Sequence, residues 1–545
     1  MWRRLAQRAL SGASAPGAHS GGSQQKQSSL RRYAWAAAGV PVVVVGTAAA
    51  ADEGVARSLY FNAHAMPVLA HYRLVEFYLR LKGHSKTDLV ARGEAFAPLH
   101  ERYAPLSLHV MRTLKGFYVK IGQMGATRSD FVAMPYIKVC ETLQDNCPYE
   151  PLEKVQELLT RTLGRPWSEV FTHIDPQPLG AASIGQVHRA VLRDGRVVAV
   201  KVQYPNVERL FRGDMRTIRR FCELAQPEQL PALAEIERAF VTEFDYQREA
   251  DMLEQVAVNV SNSPYRRACV VPRPIRELCT KHMLVMEYLD GKKLVDALRE
   301  QAAALASAQG LTLDQLREQW ADRAAAAGTT PSARPTAPVA TPRWRRAALR
   351  VALWVNDVAR GTRTPMPLDV DSVLALLAGV HAHTIFVNGL YNGDSHPGNV
   401  MLLKDGRIGL IDFGQTRSLT LTSRRNLARI IVALADGDKA AAVAAMRATG
   451  YRTRHNDDDM CWRMASISFD RDDREITLGL DLQQFMEHQN EVDPMEVIDD
   501  TLVMPSRNTL LLRGLAIALG RPISVAKAWR AEAARFLAEH PDVAV

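Results

Sequence analysis

The sequence is poor in cysteine, and its cysteines are not grouped. Only 6 occur among 545 residues, and none are paired at the two-residue spacing of zinc or redox motifs. Zinc binding is therefore not expected, and most of the thiols are expected to be buried and reduced. The sequence also lacks a basic stripe interleaved with aromatic residues, although its formal net charge is +9. This absence argues against a nucleic-acid partner.

The first 51 residues contain no Asp or Glu, whereas they carry five arginines and many alanines and serines. This composition is typical of an organellar transit peptide, which we assign to residues 1–32. The early arginines favour a mitochondrion over a plastid. Residues 33–51 form an apolar run of about bilayer-spanning length, and we interpret them as a candidate transmembrane segment of an inner membrane. The alternatives are a disordered tail for the first part and a cleaved bipartite presequence for the run.

The rest of the chain shows changes of periodicity that suggest three further regions. Helical spacing of apolar residues predicts a helical extension at 52–165. Strand-like runs follow and predict a first lobe at 166–290, and helical patterns then dominate a second lobe at 291–545. Within the second lobe, residues 303–342 are rich in Ala, Pro and Thr, and we expect a mostly disordered insert there.

The strongest chemical signal lies between Tyr391 and Gln415. Two apolar runs flank an Asp-Gly turn, which predicts a β-hairpin. The hairpin would bring Asp394, Asn399 and Asp412 to one end of a small sheet. An Asp and an Asn five residues apart, followed by Asp-Phe-Gly, form the set that phosphoryl transfer requires. Asp394 would orient the attacking hydroxyl, while Asn399 and Asp412 would hold Mg²⁺.

A second signal is a single lysine, Lys201, inside the apolar strand predicted over Val197–Gln203. A lysine there is costly unless its ammonium meets an anion, so we expect it to contact nucleotide phosphates and a helix glutamate. The helix predicted over Leu230–Val258 offers Glu243 and Glu249. Their spacing places them on different sides of a straight helix, and Glu249 is the preferred partner of Lys201.

Two further segments fit the remainder of a nucleotide pocket. Small residues between Leu179 and His188 would let the backbone approach phosphate closely, in place of a glycine-rich loop. The predicted loop residues are Gly180, Ala181, Ala182, Ser183, Ile184 and Gly185. A strand that breaks into a linker at Glu287, Tyr288 and Leu289 predicts a hinge whose backbone would bind adenine.

These motifs resemble, in their order, those of the UbiB/ADCK family of atypical kinase-like proteins. The segment that ends in Lys120-Ile-Gly-Gln123 is similar to the KxGQ signature of that family, and Glu243 with Asp245 is similar to its ExD motif. The small-residue loop resembles the family's alanine-rich loop, with Gly180 where the family usually has an alanine. That departure puts the balance between ATP and ADP in doubt. The resemblance covers roughly Lys115 to the C-terminus.

The resemblance implies an α+β, bilobal protein-kinase-like fold with an N-terminal helical KxGQ extension and a helix-rich C-lobe. It implies binding of ATP (or ADP) and Mg²⁺, with Lys120 and Gln123 projecting into the active site beside Glu243, Asp245 and Glu249. It also implies a role in ubiquinone biosynthesis or lipid homeostasis in an organelle. No Ala-Pro-Glu motif follows Asp412, and the family's extension covers the peptide site, so phosphorylation of other proteins is expected to be poor.

The expected partners are a nucleotide, a lipid or quinone-precursor-like small molecule, a membrane and a biosynthetic protein complex. Two other functions stay open at this point. One is a catalytically silent nucleotide-binding scaffold for a membrane complex. The other is a soluble small-molecule phosphotransferase of the aminoglycoside-kinase type, which the Gly393-Asp394-x-His-Pro-Gly-Asn399 run also suits. Lys120 and Gln123 argue against the phosphotransferase.

Overall fold

The computed structural model describes most of the chain from Asp52 onwards. The described residues are 52–84, 89–125, 132–143, 149–182, 184–227, 230–308, 368–393, 396–497, 500–519 and 521–541, with short pieces between 310 and 351. The predicted transit peptide and apolar run lie outside them, as do Ser183 and Asp394. The chain divides into two compact units, 1–77 and 78–545. The described part of the first unit belongs to a long helix, α1 (Glu53–Leu81), in which no residue is buried.

The second unit contains the remaining described elements. Its helices are α2 (Leu89–Leu114), α3 (Phe117–Gly125), α4 (Met134–Glu141), α5 (Leu152–Leu163), α6 (Val207–Ala225), α7 (Leu230–Val241), α8 (Tyr246–Ser261), α9 (Leu294–Ala308), α10 (Val370–His383), α11 (Leu421–Asp436), α12 (Lys439–Ala448), α13 (Asp458–Phe469), α14 (Leu482–Val492), α15 (Asp500–Ala518) and α16 (Val525–Glu539). Its strands are β1 (Phe171–Ile174), β2 (Gly180–Ala181), β3 (Gly185–Leu192), β4 (Val197–Gln203), β5 (Cys269–Val270), β6 (Met283–Glu287), β7 (Gly291–Lys293), β8 (Leu390–Asn392), β9 (Val400–Leu403), β10 (Ile408–Leu410), β11 (Thr416–Ser418), β12 (Arg452–Thr453) and β13 (Met495–Val497).

The first lobe is built on an antiparallel sheet with the strand order β1-β3-β4-β6, in which β2 also pairs with β3. The valines of β4 suit this central position because β-branched side chains pack well on a pleated surface. Helix α5 packs on the sheet through Val155 and Leu159, which join the buried cluster that contains Val198 and Val200. Gly164 ends this helix in the left-handed conformation (φ 66°), which glycine adopts without steric cost.

The sheet of the second lobe contains the predicted hairpin. Strands β9 and β10 are antiparallel and are joined through the Asp405-Gly406 turn, with φ +85° at Gly406. The sheet is larger than the predicted hairpin because β7 pairs with β9 and β5 pairs in parallel with β10. Strands β8 and β11 form a second small antiparallel sheet. In the sequence, β8 precedes Asp412 and β11 follows it. The ends of these strands position the candidate catalytic residues.

The core of the second lobe is helical. Helices α10, α11 and α16 bury Leu374, Leu427 and Trp529 in one cluster. The segment Val370–Asn388 is long and apolar enough to cross a membrane, but 56% of it is buried inside the protein. We therefore interpret it as a core helix; among the described residues no other helix meets that length and composition test. Asp438 and Asp457 cap the N-termini of α12 and α13.

The predicted α+β class with two lobes is confirmed, whereas several local predictions need correction. Helix α9 continues to Ala308, six residues into the segment expected to be a disordered insert (303–308). Near the other end of that segment, the Thr336 carbonyl accepts a bond from the Ser524 amide (3.0 Å), and the Thr341 hydroxyl donates to Asp369 (2.9 Å). These hydrogen bonds, and the alanines that favour the helix, order parts that composition alone marks as irregular.

Candidate active site

Lys201 lies on the central strand β4 and faces Glu249 in the first turns of α8. Its Nζ is 2.7 Å and 2.9 Å from the two Glu249 carboxylate oxygens. The Lys201 and Glu249 side chains are only 15% and 6% exposed. A charge buried to that extent is stable only beside an opposite charge, and here each supplies the other. The structure thus resolves the choice of glutamate that the sequence left open.

The helix that carries Glu249 begins later than the sequence pattern predicts. The single helix expected over Leu230–Val258 is wrong, because the chain breaks into α7, a 3₁₀ turn at Thr242–Phe244 and α8. Asp245 causes the break: its backbone is extended and its carboxylate accepts bonds from the amides of Gln247 and Arg248. This is N-cap geometry, to which an aspartate is well suited. The structure therefore places Asp245, a predicted catalytic residue, as the cap of the helix that presents Glu249.

Lys120 and Glu243 form a second ion pair beside the first. The Lys120 ammonium, on helix α3 of the extension, lies 3.5 Å from a Glu243 carboxylate oxygen. The amide nitrogen of Gln123, one helical turn further along α3, donates to the Leu143 carbonyl at 2.9 Å. Both Lys120 and Gln123 line the same cleft as Lys201. The extension therefore contributes directly to the wall of the cleft.

Helix α3 sits against its neighbours so closely that position 122 has no room for a side chain. A Cβ added to Gly122 would lie 2.5 Å from a Leu143 methyl and 2.8 Å from the Met111 sulfur. A larger residue there would force the Leu143 and Met111 side chains to move. The glycine of the KxGQ signature thus has a steric role, which lets α3 approach α2 and the chain after α4.

Asn399 and Asp412 lie at the same end of the β9–β10 hairpin. Asn399 ends the 3₁₀ turn that precedes β9, and its carbonyl accepts from the Ile411 amide at 3.0 Å. Asp412 has φ 68°, and its carboxylate accepts from the Gly414 amide at 3.2 Å and lies 4.0 Å from Lys201 Nζ. Both side chains line the cleft. Asp394, the predicted catalytic carboxylate, lies outside the described residues.

The small-residue loop lines the cleft between strands β2 and β3. Strands β2 and β3 pair, and the Ala182 amide donates to the Gly185 carbonyl at 2.8 Å. A Cβ at Gly185 would lie 2.3 Å from the Val202 carbonyl oxygen, so only glycine fits there, whereas a Cβ at Gly180 would meet open space. The described loop residues that line the cleft are Gly180, Ala181, Ala182, Ile184 and Gly185.

The predicted hinge lies along the opposite wall. Glu287, Tyr288 and Leu289 line the cleft between β6 and β7. The Glu287 side chain accepts from the Arg273 amide at 3.0 Å, and the Glu287 amide donates to the Arg273 carbonyl at 2.9 Å. Two hydrogen bonds to the Arg273 backbone therefore hold Glu287 in place at the wall of the cleft.

These walls enclose a cleft of about 840 Å³, within the range of small-molecule sites. Burial alone would lower the pKa of Lys201, but the carboxylates of Asp412 and Glu249 outweigh burial and raise it above its ordinary value. The Lys201 ammonium in turn holds the pKa of Asp412 below its usual range. Burial raises the pKa of Glu249, and the Lys201 charge opposes that rise. Lys201 is thus a permanently charged cation at the floor of the cleft.

Two residues that the sequence interpretation missed complete the site. Gln415, which follows Asp412-Phe-Gly, donates from its amide nitrogen to Glu243 at 3.0 Å. Its amide oxygen accepts from Arg507 on helix α15 at 3.3 Å. Arg507 is 92 residues further along the chain, so no local pattern could have indicated the contact. The position of Gln415 directly after the metal-site motif was the only available signal.

Comparison with known proteins decides the family. Residues 142–319 and 355–446 match the ABC1 atypical kinase-like domain. AarF domain-containing protein kinase 1 of Xenopus laevis is 28% identical over 351 residues, which are 63% of this chain and 55% of that protein. Chloroplastic ACTIVITY OF BC1 COMPLEX KINASE 1 of Arabidopsis thaliana is 26% identical over 353 residues, which are 63% of this chain and 42% of that protein. The mitochondrial atypical kinase COQ8B of Rattus norvegicus is 32% identical over 199 residues, which are 35% of this chain and 37% of that protein.

The chain belongs to the UbiB/ADCK family. The resemblance drawn from the sequence is therefore confirmed, and with it the kinase-like fold. The chain matches only about half or less of the length of these three relatives, from 37% to 55%. For a UbiB/ADCK protein, a kinase-like function is the class that the family supports.

Proposed function

We propose that this UbiB/ADCK protein is an atypical kinase or ATPase that binds Mg²⁺ with ATP (or ADP). The observation that carries the proposal is the buried Lys201–Glu249 pair, with an Asp412 carboxylate oxygen 4.0 Å from Lys201 Nζ. All three residues line a cleft of about 840 Å³. A fixed ammonium suits phosphate oxygens, and an Asp and an Asn beside it suit a divalent cation. Together they are the minimum set for holding the phosphate tail of a nucleotide.

The charge of the site supports a cation as well as an anion. The two ion pairs and Asp412 bring two ammoniums, Lys120 and Lys201, and three carboxylates, Glu243, Glu249 and Asp412, to the wall of the cleft, where their charges sum to −1 (+2 − 3). Arg507, which contacts Gln415, is not among the residues that line the cleft and is not counted. Within the described part of the chain, no cluster of three or more His, Cys, Asp or Glu side chains could hold a metal. Mg²⁺ does not need such a cluster because it keeps several waters and shares phosphate ligands. Asn399 and Asp412 would hold it, and when bound it would neutralise phosphate charge.

The residues of the chain then have separate tasks. Lys201, held in place by Glu249, would bind phosphate oxygens, and the backbone of the Gly180–Gly185 loop would cover them. Asp394 would accept the proton of an acceptor hydroxyl or of a water molecule, as its sequence motif predicts. The extension contributes Lys120 and Gln123 to the wall of the cleft, and the space that they occupy favours a small acceptor over a peptide.

We propose a lipid or quinone-precursor-like acceptor, and a supporting role in ubiquinone biosynthesis or lipid homeostasis within a membrane-associated biosynthetic complex. The proposed compartment is a mitochondrion, at its inner membrane, with a plastid as the alternative. Support comes from the acid-free, arginine-bearing segment before residue 52 and from two of the relatives, of which one is mitochondrial and one chloroplastic. Quinone and lipid profiling of cells that carry Lys201→Ala tests the role: profiles identical to wild type would contradict it.

Calorimetric titration with Mg-ATP and Mg-ADP tests the nucleotide proposal. Wild type should bind nucleotide only when Mg²⁺ is present, and Asp412→Asn should lose that dependence, because the amide carries no charge for the cation. Lys439→Met, a change on α12 away from the cleft, is the control and should bind as wild type does. Absence of binding in the wild type would refute the proposal. Binding without hydrolysis, equal in wild type and Asp394→Asn, would indicate the nucleotide-binding scaffold instead.

A further inference from the structure

Gln415 occupies a junction between parts of the molecule that are far apart in sequence. Its side chain donates to Glu243 at 3.0 Å and accepts from Arg507 at 3.3 Å. Its backbone carbonyl accepts from the Gly393 amide at 3.1 Å, immediately before the predicted catalytic Asp394. Gln415 also lines the cleft. One residue thus contacts the chain between α7 and α8, the residue that follows β8, and helix α15.

The orientation of the Gln415 amide is fixed by chemistry. The Glu243 carboxylate can only accept hydrogen bonds, and the Arg507 guanidinium can only donate them. The nitrogen of the amide must therefore face Glu243, and its oxygen must face Arg507. A carboxylate at position 415 would repel Glu243, and an ammonium there would repel Arg507. Among side chains of this length, an amide satisfies both neighbours at once.

Glu243 connects Gln415 to the extension. Its carboxylate is also 3.5 Å from Lys120 on α3, and the Lys120 and Glu243 side chains are 21% and 13% exposed. Hydrogen bonds to charged groups are stronger in such poorly hydrated surroundings than in water. A connected series, Lys120–Glu243–Gln415–Arg507, therefore links the extension to helix α15, and its first three members line the cleft.

We propose that Gln415 is a positioning residue, which holds Glu243, and through it Lys120, in place beside the metal-binding segment. The proposal rests on the nucleotide site described under the proposed function. In this arrangement the extension is coupled to Asp412 through one neutral amide. Loss of the amide leaves every charged member of the site present but lets the Lys120–Glu243 pair move.

Three variants test the proposal. Gln415→Met keeps the length and removes both hydrogen bonds, and it should lower kcat/KM for ATP hydrolysis about tenfold, the usual effect of losing a hydrogen bond to a charged group. Gln415→Glu should lose more activity at high pH, where its new carboxylate is charged, than at low pH, where the carboxylate binds a proton. A protonated glutamic acid has the shape of glutamine, and it can donate to Glu243 while it accepts from Arg507. Gln177→Met, a change of an exposed glutamine outside the cleft, should match wild type at every pH.

The pH profile separates a positioning role from a merely structural one. Activity of Gln415→Glu that rises at low pH relative to wild type supports the proposal. Kinetics of both position-415 variants equal to those of Gln177→Met would overturn it. A kcat/KM of Gln415→Glu that is reduced equally at every pH would also overturn it.

Hydrogen exchange gives a readout that does not need turnover. Amides of α3 (Phe117–Gly125) should exchange faster in Gln415→Met than in wild type or Gln177→Met, since the Glu243 carboxylate that pairs with Lys120 is no longer held by Gln415. If wild type neither binds nor hydrolyses nucleotide, the proposed function fails, and exchange alone decides the role of Gln415. Unchanged exchange of α3 in Gln415→Met would then refute the coupling.

Discussion

Replacement of Lys201 by Met tests the buried ion pair from which the site is built. Methionine has nearly the same length but no charge, so Glu249, only 6% exposed, would lose the ammonium 2.7 Å away. Removing one member of a buried pair costs about 3–5 kcal/mol, because the other charge is left in poorly hydrated surroundings. Glu249 can limit that cost by binding a proton, at about 1.4 kcal/mol per pKa unit. We therefore expect a loss of about 3 kcal/mol in the free energy of unfolding near neutral pH.

The sign of the pH dependence follows from Glu249. Burial already raises its pKa, and loss of Lys201 would raise it further. In the variant the folded state would then bind a proton more tightly than the unfolded state, so stability falls as the pH rises through the folded pKa. The deficit of Lys201→Met relative to wild type should shrink as the pH is lowered towards the ordinary glutamate value.

Urea unfolding at several pH values measures these differences. The double variant Lys201→Met/Glu249→Leu replaces the pair by two apolar side chains, and it should recover most of the lost stability without pH dependence but still fail to bind nucleotide. Lys154→Met, which removes an exposed ion pair on α5, is the matched control and should change stability little. A pH-independent deficit in Lys201→Met, equal to that of the double variant, would refute the reasoning.

Three further predictions concern packing, capping and a buried histidine. Gly122→Ala should destabilise the protein by about 1–3 kcal/mol because its Cβ would press against the Leu143 and Met111 side chains. Gly93→Ala, on α2, should stabilise the protein by about 0.5–1 kcal/mol because a Cβ there meets open space. Thermal unfolding of the two variants measures the difference. Asp245→Ala removes the cap of α8 and should lower the free energy of unfolding by about 1 kcal/mol. Asp245→Asn should retain both stability and nucleotide affinity. Loss of affinity in Asp245→Asn would indicate that Asp245 acts as a catalytic carboxylate instead. Burial lowers the pKa of His381 to about 4, so its imidazole should stay neutral in NMR titrations down to about pH 5. The unfolded state binds this proton more readily than the folded state. The stability that comes from keeping His381 neutral is therefore present above the ordinary pKa of histidine and is lost as the pH falls towards 4.

The sequence predicts the first-lobe strands and the β9–β10 hairpin well because their signals are local. The Asp-Gly turn and the alternating apolar runs on either side determine the β9–β10 pairing within twelve residues. The lone lysine in β4 is equally informative, since an unpaired charge in that strand has few stable alternatives. These are short-range constraints, and tertiary packing does not override them.

The predictions that failed depend on competition between local and distant contacts. Helical periodicity runs through Asp245, yet its carboxylate binds the following amides and starts a new helix, so Glu243 and Glu249 lie on separate elements. Helices α13 and α14 were not predicted, although Asp457 and Asp481 provide N-caps that mark their starts. The contact between Gln415 and Arg507 joins segments that only the packed C-lobe brings together.

The left-handed backbone of Asp412 limits which inactive variant is a faithful reference for the wild type. Asp and Asn adopt a φ near 68° at modest cost, whereas alanine pays about 1 kcal/mol or more for it. Alanine can escape that strain by letting the chain after β10 relax to an ordinary conformation. A crystal form of Asp412→Ala would then show a rearranged loop that reflects its own backbone preference, while Asp412→Asn would preserve the native path and isolate the missing charge.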